Sequence, residues 1–272
     1  MLIEKLTAIV GDANVLTGEQ VRSRAVGWAD RSPCQARAIV RPGSTDEVSR
    51  VLAECHASGQ PVVLFGGLTG LVQGSVASEH EIALSLERMH RIESIDPVGR
   101  TMTVEAGVAV QRIQEEAEKH GLLYPVDFGA RGSAHIGGSA ATNAGGNGVI
   151  RYGMTRDSVL GLEAVLADGT VIPAMNRMIK NNAAYDVKQL FIGTEGTLGV
   201  ITRLVLRLRE SPRSTQSALV ACPAFADVTR FLKHVDGALG GSLSAFELMW
   251  NGFYRMVTTP PSKGTPPLPQ TY

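Results

Sequence analysis

Apolar residues recur along this 272-residue chain with two periods, and the switches between them mark its elements. Between residues 44 and 59, Val48, Val51, Leu52 and Cys55 fall at i, i+3, i+4 and i+7, the spacing of one helical face. Ser44 followed by Glu47 makes a capping-box pattern at its start, and Gly59 closes it. ARAIVRP before this helix and VVLF after Pro61 read as strands, so the chain begins on a β-α-β unit. EIALSL, RIESIDP and TMTVEAG, divided by Asp96, Pro97 and Gly99, predict neighbouring antiparallel strands between Glu81 and Val108. VAVQRIQEEAEKHG returns to the helical period, with Val110, Ile113 and Ala117 on one face and Gly121 as the stop.

Further along, VLGLEAVLADGTVIPA predicts a hairpin at Asp168-Gly169, and IGTEGTLGVITRLVLRL leads into an alternating strand. After about Glu210 the texture changes to a helix with Val228, Phe231, Leu232 and Val235 on one face, then the strand-like SLSAFELMW. The closing TTPPSKGTPPLPQTY suits neither a helix nor a central strand. These elements predict an α+β protein with units at residues 1–210 and 211–272, the second small for a core of its own.

Composition narrows the function. The 26 basic and 26 acidic residues cancel, leaving no global field to draw in nucleic acid. No window approaches 18 uninterrupted apolar residues, so no transmembrane segment is expected, although peripheral membrane attachment stays open. MLIEKLTAIVGDANVLTGEQ lacks the basic start and apolar core of a secretory signal, and a cytoplasmic location is expected. Cys34, Cys55 and Cys222 are too few for a disulfide framework, and Cys55 belongs to a core-facing stripe. His80, His90 and His234 have no ligand spacing, so no metal site is expected.

Glycine carries the chemical signal, in clusters at residues 66–75, 129–153 and 193–199. Such loops let several backbone N–H groups converge on an anion with no Cβ in the way. Three of them, each beside a strand or a helix start, imply one long phosphate-bearing ligand. There is no G-x-x-x-x-G-K-[ST], and Gly66, Gly67, Gly70 and Gly74 do not fit G-x-G-x-x-G, which disfavours a P-loop and a nicotinamide-binding Rossmann domain. After Ser133, IGGSAATN reads as a short helix whose N-terminus faces a phosphate.

PVVLFGGLTGLVQGS, EAGV at 105–108, PVDFGARGSAHIGGSAATNAGGNGVIRYG and YDVKQLFIGTEGTLGVIT resemble, in order and spacing, the FAD-binding PCMH-type domain of the FAD-linked oxidases, the vanillyl-alcohol oxidase fold. KNNAAYDVKQLFIGTEGTLGVIT and LSAFELMW are most similar to the D-2-hydroxy-acid dehydrogenases, a group acting on D-lactate, D-2-hydroxyglutarate or glycolate. The similarity covers most of the chain. It implies an FAD-binding domain of two α+β subdomains over residues 1–210, followed by the incomplete start of an FAD-linked oxidase C-terminal domain over 211–272.

The resemblance also implies site residues. Gly66, Gly67, Leu68, Thr69, Gly70, Leu71, Gly74 and Ser75 would cradle the pyrophosphate, and Pro125, Asp127, Gly129 and Ala130 would lie near the flavin and its linker. Gly132, Ser133, Ile136, Gly137, Gly138, Thr142, Asn143, Gly145 and Gly146 would form the second wall. Tyr152, Gly153, Glu195, Gly196 and Gly199 would complete the pocket, with Val200 and Ile201 near the adenine. Where some relatives tether the flavin through a histidine, this chain has Leu68, which implies non-covalent FAD.

The metal ligands and base of these dehydrogenases sit in a segment of the type H-x-G-D-G-N-x-H, which does not occur in these 272 residues, so no catalytic residue is assigned. The implied reaction takes a small 2-hydroxy acid to its 2-oxo acid, with a quinone, an electron-transfer flavoprotein or oxygen as the electron acceptor. Two other readings stay open: an oxidase of this fold acting on another alcohol or amine, and a flavin-binding module completed by a partner subunit. A homodimer is also open. His135 reads as a cofactor-lining or helix-capping group rather than a base. Asp127 and Glu195 are the best-placed carboxylates, each with the alternative of bonding its own loop, and Lys188 and Arg151 are candidates to meet an anion.

Overall fold

The computed structural model describes residues 1–262 and 264–269. It divides into two compact units, Met1–Gly146 with Gly153–Ser211, and Asn147–Tyr152 with Pro212–Tyr272. In chain order the first unit begins with α1 (Leu2–Val10), β1 (Val15–Leu16), β2 (Ala38–Val40), α2 (Thr45–Ala57), β3 (Val62–Phe65) and β4 (Ile82–Ser85). It continues with β5 (Ile92–Asp96), β6 (Thr101–Glu105), α3 (Val110–Glu118), α4 (Ile136–Ala141), β7 (Val159–Val165), β8 (Val171–Ala174) and β9 (Val200–Arg207).

The α2 stripe is buried as its spacing requires: Val48, Val51, Leu52 and Cys55 face the core. Its cap departs from the reciprocal pattern. Ser44 Oγ accepts the Glu47 N–H at 3.2 Å, but the Glu47 carboxylate reaches back to the Gly43 N–H, at 2.7 Å. Burial pushes the Cys55 thiol up to about 11, which keeps it an inert core group.

Two main sheets build the unit, beside a short ladder of Leu122–Leu123 with Arg209–Glu210. The first has the order β1-β2-β4-β3, with β4 parallel to both β2 and β3. EIALSL is therefore a central parallel strand and not an antiparallel neighbour of β5. All four residues of β4 are buried, because Ile82 and Leu84 meet α1 and α2 while Ala83 joins Ile39, Phe65, Val21 and Val26 on the other face. A strand covered on both faces shows no alternation to read.

The second sheet has the order β5-β6-β9-β7-β8, antiparallel throughout. β9 lies at its centre, and its Leu204 and Leu206 pack with Met102, Val104, Leu162, Ile113 of α3 and Ile136 of α4. Val165 and Val200 instead join the core beneath α1 and α2, so the two sheets share one interior. The Glu163 carboxylate of β7 ties α2 to the second sheet, accepting hydrogen bonds from Thr45 Oγ1 at 2.6 Å and Thr202 Oγ1 at 2.9 Å.

The second unit holds α5 (Phe225–Leu239) and α6 (Asn251–Thr258). None of the α5 residues is buried, although the Phe225 ring stacks on Trp250 with centroids 5.8 Å apart. SLSAFELMW is not a strand here. A strand needs a neighbour for its N–H and C=O groups, and the described residues of this unit supply none. Lys263 and residues 270–272 of the proline-rich stretch lie outside the described residues. Among the described residues, no helix is long and apolar enough to cross a membrane.

Candidate functional site

Where β3 ends, the buried Phe65 hands the chain to the glycine-rich loop, which turns through left-handed backbone at Leu68 (φ 53°) and Gln73 (φ 60°). Opposite it, α4 is built from isoleucine, glycine, serine and alanine, so it presents a low wall. Together with the 195–201 turn these segments line a cleft of about 650 Å³ in the first unit.

The close approach of loop and wall depends on Gly67. A Cβ there would lie 1.9 Å from the Ser133 carbonyl oxygen and 2.9 Å from Ala134 Cα. Only a residue with no side chain fits against that backbone. At Gly196 a Cβ would stand 2.2 Å from Leu64 Cδ1, which fixes the turn against β3.

Hydrogen bonding distinguishes the two glycine segments. The first two N–H groups of α4 are taken, Ile136 by the Val108 carbonyl at 2.9 Å and Gly137 by the Ala106 carbonyl at 2.8 Å. Two of the amides at this helix start are therefore taken by protein carbonyls. Among the described residues, no backbone N–H from Gly66 to Ser75 donates to a protein acceptor. A run of free amides on a loop facing a cleft is the arrangement that receives an anion.

Of the residues expected from the sequence, Gly66, Gly67, Leu68, Thr69, Gly70, Gly74, Ser75, Ala130, Gly137, Gly138, Thr142, Asn143, Gly145, Glu195, Gly196, Gly199, Val200 and Ile201 line the cleft. Leu71 is exposed, Pro125 and Ile136 are buried, and Gly129, Gly132 and Ser133 face solvent. None of these six lines it. Gly146 packs on the Asp127 carbonyl, and Gly153 on the Asp157 carboxylate. Tyr152 belongs to the second unit, where the Arg151 guanidinium lies 5.1 Å from its ring centroid.

The candidate charged groups separate in the same way. Asp127 accepts Arg131 Nη1 at 2.6 Å and so holds its own loop, while Lys188 donates to both Asp186 oxygens. Glu195 takes left-handed backbone (φ 54°), held by its N–H on the Ala141 carbonyl at 2.8 Å. Its carboxylate accepts no hydrogen bond from the described residues and lines the cleft. The Asn143 side chain is used structurally, accepting the Arg156 N–H at 2.9 Å.

His135, read from the sequence as a cofactor-lining or helix-capping group, lines the cleft, and Leu64, Phe65, Leu86, Ala106, Phe128, Ser139 and Met154 line it as well and were not among the expected contacts. Ala106 continues the alternation of Met102 and Val104 in β6, which was a signal for it, whereas Phe65 ends the uniformly apolar VVLF, which has no alternation to read. Phe128 and Met154 sit in irregular chain and had no such signal. Among the described residues, no group of three or more His, Cys, Asp or Glu is placed to hold a metal ion.

Residues 36–174 match the family described as the FAD binding domain. The chain belongs to that family. The cleft's residues fit FAD on their own terms, since free amides face a wall of small residues. D-2-hydroxyglutarate dehydrogenase of Bos taurus is 40% identical over 244 residues, covering 90% of this chain and 45% of that protein. The enzyme of the same name from Xanthomonas citri pv. viticola is 44% identical over 198 residues, covering 73% of this chain and 42% of that one. The chain thus spans about half the length of the curated relatives it matches. Alkyldihydroxyacetonephosphate synthase has the same fold, with a TM-score of 0.73 at 20% identity over 88% of this chain and 45% of its own. The fold is α+β, of the PCMH FAD-binding type.

The expectation of a cytoplasmic protein is overturned by these relatives: those from Bos taurus, Oryza sativa and Rattus norvegicus are named as mitochondrial. The N-terminus was weighed only against secretory signals, and organelle addresses have a different, Arg-rich amphipathic composition.

Gly138 offers a clean probe of this wall. No heavy atom lies within 4 Å of a Cβ placed there, and the residue sits inside α4 and lines the cleft. Alanine improves helix propensity by about 1 kcal/mol, so Gly138→Ala is expected to leave the Tm of the FAD-free protein equal or higher. The added methyl takes up cleft space, and FAD affinity is expected to fall by roughly tenfold or more. Thermal melts and an FAD titration of the same preparation check both; unchanged affinity would remove α4 from the binding wall.

Proposed function

We propose that this chain holds FAD non-covalently and forms the cofactor-binding part of an oxidoreductase that converts D-2-hydroxyglutarate to its 2-oxo acid. The observation that carries the reading is the 66–75 loop, whose N–H groups have no acceptors among the described residues and face a wall of small residues. Its free amides would take the pyrophosphate, and α4 with the 195–201 turn would hold the rest of the cofactor against both sheets. Leu68 offers no nucleophile for a covalent link. Bound FAD supplies the two-electron acceptor for the C2 hydrogen of the acid.

The substrate class comes from the dehydrogenases of Bos taurus and Xanthomonas, at 40% and 44% identity. D-2-hydroxyglutarate carries two carboxylates, and no arginine or lysine lines the cleft. Charge recognition of the acid, and the base for its hydroxyl proton, therefore fall to the part of those relatives that this chain does not span.

The test is an anaerobic absorbance spectrum of the FAD-loaded chain after gel filtration, before and after D-2-hydroxyglutarate, with D-lactate and glycolate alongside. The expected result is a retained flavin band that none of the three acids bleaches in residues 1–272 alone. A colourless protein after reconstitution overturns the cofactor reading. Bleaching would place the substrate groups within this chain, and the most effective acid would correct or support the choice of substrate.

A further inference from the structure

His135 stands at the start of α4 and lines the cleft, yet it does none of the work by which a structural histidine is held. Its side chain makes no cap hydrogen bond to α4, and Nδ1 is buried with no partner. Its backbone is firmly placed, because its carbonyl accepts both the N–H and the hydroxyl of Ser139, at 2.9 and 3.1 Å. The preceding residue, Ala134, packs on Gly67, so the imidazole shares one stretch of cleft with the free amides of the 66–75 loop.

The tautomer follows from this environment. A neutral imidazole has one N–H, and a buried N–H without an acceptor forfeits a hydrogen bond that water would supply. Nδ1 is the enclosed nitrogen, whereas Nε2 is not enclosed in this way and bonds to none of the described residues. The proton therefore belongs on Nε2, the nitrogen open to a ligand. Burial holds the ring below the ordinary histidine range; the charge of Glu87 acts the other way, while that of His90 adds to the effect of burial. Glu87 is itself held by Arg24 and Arg41, at 2.9 and 3.1 Å.

We propose that His135 is a cofactor-positioning residue, donating Nε2–H to an acceptor atom of bound FAD while remaining neutral. This rests on the reading of the cleft as the FAD site. It separates His135 from the proton transfer of the reaction, since a neutral ring whose N–H is given to the cofactor is not the base for the substrate hydroxyl.

The experiment compares FAD titrations of the wild-type chain, His135→Leu and His135→Gln, together with melts of the FAD-free proteins. Side-chain ¹⁵N NMR of the wild-type imidazole follows FAD addition directly. His135→Leu is expected to bind FAD about tenfold more weakly, the usual worth of one hydrogen bond, with no loss of apo Tm because an unpaired buried nitrogen is removed. His135→Gln keeps an N–H donor and is expected to recover most of the affinity. The wild-type Nε2 resonance is expected to shift on FAD addition with the ring still neutral.

Equal affinity in wild type and His135→Leu, or an Nε2 resonance indifferent to FAD, overturns the proposal. So does a parallel fall in Tm and uptake in both variants, which would make the residue structural. Wild-type protein that takes up no FAD fails at the earlier step and overturns the cofactor reading itself.

Discussion

Gly67→Ala is expected to weaken FAD binding severely and to destabilise the protein as well. The atoms a methyl would strike are the Ser133 oxygen at 1.9 Å, the Ser133 carbonyl carbon at 2.8 Å and Ala134 Cα at 2.9 Å, all of them backbone. No side chain can swing aside to make room. The loop and the start of α4 must separate, and overpacking of this kind costs about 3 kcal/mol. The loss of aligned amides adds to that, so FAD binding is expected to weaken by roughly a hundredfold or more. Gly70→Ala is the control on the same loop, because nothing lies within 4 Å of its Cβ position. Its apo Tm should match wild type. FAD titration and urea denaturation of the two variants measure the contrast, and a Gly67→Ala protein that binds FAD within twofold of wild type would refute the contact.

Glu163→Ala carries the second large effect, and it acts on stability. One carboxylate receives Thr45 Oγ1 from the start of α2, Thr202 Oγ1 from β9 and Arg203 Nη1 at 3.3 Å. Its side chain is 10% exposed, so water cannot replace those bonds. Arg203 keeps Glu93, at 2.6 Å, and Thr202 keeps the weaker bond to the Glu163 carbonyl, which limits the loss. Removing the carboxylate is expected to cost about 2–4 kcal/mol of unfolding free energy. Glu163→Gln retains an acceptor for Thr45 and should cost about half as much. Urea melts of the apo protein read both values. A Glu163→Ala cost no larger than about 0.5 kcal/mol, the level of a surface change, would show that the link between α2 and the second sheet is dispensable.

The sequence disclosed the elements whose signal is local. The α2 stripe, the α3 face of Val110, Ile113 and Ala117, and the hairpin at Gly169 (φ 89°) all stand as their spacing predicts. Pairing was less legible. β4 was read with β5 because they are adjacent in sequence, whereas its partners are β2 and β3, and parallel pairing leaves no turn to announce it. SLSAFELMW alternates like a strand but finds no neighbour in its unit, since a strand is a property of a pair.

The candidate site shows the same division. The glycine-rich loop was visible from composition, and most of its expected residues line the cleft. Leu71 does not, because loop direction depends on the left-handed turns at Leu68 and Gln73, residue types that do not advertise them. His135 was visible as a residue, but its unpaired nitrogen is a tertiary fact that spacing cannot carry. Likewise, the carbonyls of Ala106 and Val108 that occupy the start of α4 come from a distant segment.

The central place of β9 has a consequence for how the polypeptide is made. Residues 200–207 pair with β6 on one side and β7 on the other, and Val200 and Ile201 at their start line the cleft. The 66–75 loop leaves the ribosome long before them. During synthesis it must wait, with its amides in water, until Arg207 has emerged and the second sheet can close. Flavin therefore meets a nearly finished first unit rather than a nascent loop, and a nascent chain halted ahead of β9 should carry no colour.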